Sequence, residues 1–207
     1  LENLPLVTSD ININKIEVWV TNTTSNYEKS RNIVAFTDLG EGKPEWIYND
    51  EKVHSAGIIG AQYPDDTVNT LLDNMDYNSI RSVNSVTSYL TSQGYTSGKD
   101  FEKLQKARKL NPSEYVLNSK LGFITLNVNL NANQTLAVAY QYTVIGQDKV
   151  YQVGEFSDQS IADPNLLVTK LLKSTTINTK MPMWDLMMKN VYNIRAYQIS
   201  PSDFVMN

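Results

Sequence analysis

Hydrophobic positions along this chain recur mostly at every second residue. From Asn14 to Asn22, Ile16, Val18 and Val20 fall on one face, and Lys15, Glu17, Trp19 and Thr21 on the other. That alternation, rich in β-branched residues, predicts a strand. Asn32 to Thr37, around Ile-Val-Ala-Phe, predicts a second. From Glu114 to Phe156 four short β-type runs follow one another, each separated by Asn, Gly or Lys, which predicts a meander of antiparallel strands. In its third run Leu136, Val138, Tyr140, Tyr142 and Val144 share a face. Ala137 and Ala139 lie opposite, small enough for close packing against another element. Gly146-Gln147-Asp148 forms a compact turn into the last run.

A different spacing occupies the segment from Asp65 to Leu110. Val68, Leu71, Leu72 and Met75 follow Pro64-Asp65-Asp66 at helical spacing, and Ile80, Val83, Val86, Tyr89 and Leu90 repeat it up to Gly94. Phe101, Leu104 and Ala107 predict a third helix starting at Asp100 and stopped by Asn111-Pro112. Two later helices are expected, one opened by Asp163-Pro164 and running through Leu172, the other opened by Pro182 and running from Met183 to Ile194. The fold class is therefore α+β: a mainly antiparallel β-sheet with a helical insertion at about 65–110 and two later helices.

Composition narrows the function classes. The 207 residues suit one large domain or two small ones, and 41% hydrophobic residues supply a core. A net charge of -4 argues against a dedicated nucleic-acid binder, which clusters Lys and Arg against phosphates. The chain has no cysteine, which removes disulfides, thiolate nucleophiles and cysteine-based zinc sites. His54 is the single histidine, so no site with two histidines forms within one chain. No apolar run approaches the ~20 residues of a membrane-spanning helix. The chain opens at Leu1 without an initiator Met or a leader pattern and closes on Phe-Val-Met-Asn, so a piece of a longer protein is expected.

Candidate chemistry is sparse. His54 has Asp50 and Glu51 nearby but no Gly-x-Ser-x-Gly elbow to serve, and reads as a loop histidine. The carboxylate pairs Asp65-Asp66, Glu41 with Glu45, and Asp50-Glu51 sit in loops or at a helix start, where acids cap and solubilise. Asp73 and Asp76 lack the alternating ligands and central Gly of a calcium loop. The expectation is no catalytic residue, no cofactor and no metal. Trp46, Tyr48 and Tyr63 are the candidate partner contacts, with carbohydrate stacking as their alternative use. Trp184, Met187, Met188 and Val191 form an apolar stripe that packs on the sheet or docks a partner. Lys103, Lys106, Arg108 and Lys109 read as a solvated helix end.

Several segments, taken in order, resemble the SprA/Sov family of gliding-motility and type 9 secretion proteins of Bacteroidetes. They are Ile-Glu-Val-Trp-Val-Thr-Asn (16–22), Arg-Asn-Ile-Val-Ala-Phe-Thr-Asp-Leu-Gly-Glu (31–41), Leu-Gly-Phe-Ile-Thr-Leu-Asn (121–127), Leu-Ala-Val-Ala-Tyr (136–140), Tyr-Gln-Val-Gly-Glu-Phe (151–156), Leu-Leu-Lys-Ser-Thr (171–175) and Met-Trp-Asp-Leu-Met-Met-Lys-Asn (183–190). The resemblance implies that residues 1–207 are a single extramembrane domain excised from a giant outer-membrane translocon. Implied partners are the parent β-barrel, a PorV-type shuttle barrel, a plug protein and secreted cargo proteins, with no nucleic acid and no membrane insertion of this fragment. Its expected place is the cell envelope, on the extracellular or periplasmic face of the outer membrane. In that setting Asp66-Thr67-Val68 is similar to a three-residue O-glycosylation signal, which makes Thr67 the candidate acceptor. The alternative function is a carbohydrate- or surface-binding β-rich module of an envelope protein.

Overall fold

The computed structural model describes residues 9–42, 51–57, 63–159 and 161–188. Eight strands form within them: β1 (Ile11–Val20), β2 (Ser30–Phe36), β3 (Phe101–Lys109), β4 (Tyr115–Asn118), β5 (Phe123–Leu126), β6 (Leu136–Val144), β7 (Val150–Val153) and β8 (Leu167–Lys173). Two short helices, α1 (Tyr77–Arg81) and α2 (Val86–Ser92), lie between β2 and β3. The molecule is a mainly β α+β fold.

Strand pairing runs β1–β3–β2–β8–β6 and returns from β6 to β1, so five strands close into a small barrel. Every pair in the ring is antiparallel except β2–β8. Its weakest seam is β1–β3, joined only at Trp19 opposite Lys109 and Val20 opposite Arg108. β7 leaves the ring and pairs with β6 beyond β8. β4 and β5 form a separate two-stranded sheet. The four runs from Glu114 to Phe156 are thus strands, but they divide between two sheets instead of forming one meander.

Side-chain parity separates inside from outside. Trp19, Ile33, Ala35, Leu104, Ala107, Ala137, Leu167 and Leu171 come from all five ring strands and pack together as the interior, with Met183 among them. Their neighbours in sequence face outward. Val34, Phe36, Phe101 and Val168 meet α1, α2 and β7, while Val18, Val20, Leu136 and Val138 meet the β4–β5 hairpin. Both outer patches are covered by a long connection, so the ring strands are buried on both faces.

Three of the five predicted helices are not helical, and the other two are divided or shortened. The stretch from Asp100 is the ring strand β3, so the insertion between β2 and β3 ends before it. Opposite Arg31–Ile33 of β2, β3 places one extra residue between Ala107 and Leu104, and Lys106 there adopts φ 50°. This bulge turns Leu104 and Ala107 to the same side although they are three apart, which imitates helical spacing. The segment after Asp163-Pro164 is a turn followed by strand β8. Pairing on both edges and burial on both faces give β8 a continuous apolar run that periodicity cannot assign. After Pro64, residues 64–75 form turns. Buried Asn69 sends its amide to Asp38 O at 2.5 Å and accepts from Leu71 N at 3.2 Å, so local side-chain bonds replace a helical ladder. Between Ile80 and Leu90 the single expected helix is two, broken at Ser82–Ser85. The helix opened by Pro182 is a short 3-10 turn to Leu186, and Lys189 onward lies outside the described residues.

Ala139 meets the close neighbour its size predicts. A Cβ on Gly154 (φ 78°) would stand 3.2 Å from the Ala139 Cβ and 3.3 Å from the Thr169 Cα. Gly154→Ala is expected to cost about 3 kcal/mol, combining left-handed backbone strain with overpacking. Gly146→Ala, at φ 82° with open space around it, is expected to cost about 1 kcal/mol from backbone strain alone. Urea midpoints of the two variants compare them directly.

Candidate functional site

Of the sequence-predicted residues that the structure describes, Tyr63, Asp65, Asp66 and Thr67 lie beside β7. Tyr63 packs on Tyr151 at 5.6 Å between ring centroids, Tyr151 stacks on Tyr142 at 5.1 Å, and Tyr142 on Tyr140 at 6.0 Å. The Tyr142 hydroxyl donates to Pro64 O at 2.6 Å, and Lys149 lies 4.5 Å over the Tyr151 ring. Tyr63 therefore docks its own segment on the sheet. Trp46 and Tyr48 lie outside the described residues.

Asp65 and Asp66 diverge. Asp65 accepts from Thr67 N at 3.1 Å and from the Thr67 hydroxyl at 2.6 Å, with Lys149 at 3.6 Å. Asp66 is half-buried and turns its carboxylate toward the end of β7, where it accepts from Gly154 N at 2.9 and 3.1 Å. Burial pushes the Asp66 carboxyl up to about 7, with Glu155 and Asp65 adding to the rise and the Gly154 N–H opposing it. Thr67 is exposed, with its hydroxyl held by Asp65.

Three further carboxylates are committed to ion pairs. Glu155 takes both terminal nitrogens of Arg81, which also donates to Leu166 O at 2.8 Å, while Val168 N donates to Glu155 at 2.7 Å. Glu41 takes the ammonium of Lys170, which also reaches Thr37 O. Burial lowers the Lys170 ammonium to about 7 against the upward pull of Asp38. Glu17 takes Lys109 and accepts from Ser157 N at 2.9 Å and the Ser157 hydroxyl at 2.7 Å. Lys109 stands 3.2 Å from Ser157 Oγ, but the same carboxylate binds both groups and anchors the turn at Ser157.

The other candidates are scattered. His54 is exposed, joined to Thr70 through its backbone. Glu51 and Asp73 are exposed, whereas Asp76 caps α1 by accepting from Ser79 N at 2.7 Å. Glu45, Asp50 and Val191 fall outside the described residues. In the apolar stripe Met187 is half-buried and Met188 exposed, and it is Met183 that enters the barrel interior. The four basic residues lie on β3, each engaged: Lys103 with Val83 O, Lys106 over the Tyr27 ring, Arg108 with Glu114 and Lys109 with Glu17. Among the described residues no group of three or more His, Asp or Glu could hold a metal ion, and no helix is long and apolar enough to cross a membrane.

Sequence reasoning missed a cleft of about 430 Å³ beside the β3 bulge, lined by Asn32, Arg81, Asn84, Gln105, Lys106 and Asn165 among others. Its residues come from four distant segments, so no local spacing announces it.

Two predictions follow from the charges. The Asp66 carboxyl rises from about 3.8 to about 7 on folding. Its contribution to stability is therefore complete below the lower value and lost as pH rises through the upper one. Asp66→Asn, which keeps an acceptor for Gly154 N, is expected to raise the thermal midpoint more at pH 8 than at pH 5. An equal shift at both would contradict this placement. Arg81→Leu leaves half-buried Glu155 without its cation and is expected to cost about 3 kcal/mol, while Arg81→Leu/Glu155→Leu recovers most of that loss. Urea denaturation of the full cycle measures the coupling.

No protein-family model matches this chain. No curated protein matches it either.

Proposed function

We propose that this chain is a non-enzymatic structural and interaction domain of a SprA/Sov-type outer-membrane translocon that serves type 9 protein export and gliding motility. One observation carries the reading: the segments that resemble that family supply the carboxylates of three ion pairs that tie the fold together. The segments fall on the second half of β1, most of β2 with its following turn, β5, the first half of β6, most of β7 and the end of β8, so four of the five ring strands are touched and β3 is not. Their carboxylates Glu17, Glu41 and Glu155 are those engaged by Lys109, Lys170 and Arg81. The likeness therefore rests on residues that fix a rigid body, which suits a scaffold placed at the mouth of a conduit.

In this reading the barrel is the body, and the segment 41–63 and the α1–α2 layer meet partners. Those partners are the parent β-barrel, a PorV-type shuttle barrel, a plug protein and cargo in transit. Trp46 and Tyr48 are the proposed anchors of the first segment, and Thr67 is the proposed O-glycan acceptor.

An in-frame deletion of residues 9–188 is expected to leave an outer-membrane protein that no longer exports cargo and no longer co-purifies with a shuttle barrel. Undiminished export by the stably produced deletion protein would refute the proposal. Trp46→Ala/Tyr48→Ala is expected to weaken co-purification without lowering the amount of protein in the envelope.

A further inference from the structure

The cleft beside the β3 bulge has a specific chemistry. Its floor is fixed, because Asn32 accepts from Lys106 N at 2.9 Å and donates to Pro164 O at 3.3 Å. Arg81 is neutralised by Glu155, and among the described residues no carboxylate lines the cleft. The carboxamides of Asn84, Gln105 and Asn165 are exposed, converge on it and make no hydrogen bond among the described residues.

Two tyrosines adjoin cations that line the cleft. Tyr77, 59% exposed, has Arg81 at 4.6 Å over its ring, and Tyr27, 50% exposed, has Lys106 at 4.4 Å. In each case the cation of a cleft-lining residue lies over the ring, and the tyrosine as a whole stays largely exposed beside the cleft. A carboxamide presents a donor and an acceptor side by side, matching neighbouring hydroxyls. An aromatic face complements the apolar C–H face of a pyranose. The volume lies within the range of small-molecule sites.

We infer that this cleft is a glycan-binding site, taking a short saccharide whose hydroxyls bond to Asn84, Gln105 and Asn165 and whose ring stacks on Tyr77 or Tyr27. The inference does not rest on the translocon reading, since it needs only the bulge, the three amides and the two rings. An extended peptide backbone also offers donors and acceptors to carboxamides, but it lacks the apolar C–H face that a pyranose lays on an exposed ring.

The test is titration of the isotope-labelled chain with chitotetraose, with maltohexaose and with a blocked Ala-Gly-Ser peptide, followed by two-dimensional NMR. At least one saccharide is expected to give saturable shifts centred on Asn84, Gln105 and Asn165. Asn84→Ala/Gln105→Ala is expected to weaken that binding about tenfold or more, equivalent to ~1.4 kcal/mol, with the thermal midpoint unchanged. If the double variant lowers the midpoint, Asn165→Ala and Tyr77→Ala carry the comparison. No saturable response below roughly 10 mM saccharide, shifts centred elsewhere, affinity unchanged in the variants, or a response to the peptide alone would each overturn the inference.

Discussion

The architecture depends on closing five strands around one tryptophan. A five-stranded ring encloses little volume, and its interior must be filled by side chains. Here Trp19 enters among Ala35, Ala107 and Ala137, with the larger Ile33, Leu104, Leu167 and Leu171 around it. The alanines on three strands make room for the indole, and Met183 arrives from the chain beyond β8 to complete the packing. Fit is favoured over polar satisfaction, since the buried indole N–H has no acceptor among the described residues. A buried donor left in that state costs about 1–3 kcal/mol. Packing of the surrounding apolar side chains must offset it.

Closure also dictates what the long connections do. Strands in so narrow a ring turn half their residues outward, and here those residues are Val, Leu and Phe as well. They need cover, and the two longest connections supply it. The β2–β3 connection lays α1 and α2 over β2 and β8, and the β3–β6 connection lays the β4–β5 hairpin over β1 and β6. Three ion pairs then tie connecting chain to the barrel or strand to strand: Arg81 in α1 with Glu155 after β7, Glu41 after β2 with Lys170 in β8, and Glu17 with Lys109 across the weak β1–β3 seam. Buried pairs of this kind contribute specificity of arrangement more than net stability, because desolvation offsets much of their attraction. The Glu17–Lys109 pair sits where the ladder is shortest, so a charge contact reinforces closure where hydrogen bonds are few.

Much of this was legible in the sequence, for a physical reason. β1 and β6 alternate cleanly because their two faces meet different neighbours, and Ala137 and Ala139 announced a close approach that Ala137 makes with Trp19 and Ala139 with Gly154. What misled was the same alternation disturbed. At Lys106 one inserted residue converts period two into an apparent period three, and in β8 burial on both faces erases periodicity altogether. Asn69 illustrates a third cause: a buried carboxamide that binds backbone groups can stop a helix that apolar spacing predicts. Of the site residues, Tyr63 had a recognisable aromatic character but not its destination, since Tyr142 and Tyr151 reach it only through sheet pairing. The cleft was invisible because Asn32, Asn84, Gln105 and Asn165 approach one another only after β2, β3 and β8 have been placed side by side.

The bulge links the fold to the proposed glycan site. A non-glycine residue at φ 50° is costly, and it persists where the surroundings over-determine it. Asn32 does this by accepting the Lys106 N–H, which the local register shift leaves without a ladder partner on β2. A bulge bends its strand and re-aims the side chains around it. Here it leaves Gln105 and Lys106 both exposed at the rim of the cleft, although they are sequence neighbours on a strand. A regular β3 would send Gln105 and Lys106 to opposite faces and leave no such rim. The strain is thus placed at the cleft itself, on an edge secured from below by Asn32 and from the side by the Arg81–Glu155 clamp, so the cleft's edge at Gln105 is held by bonds from two sides.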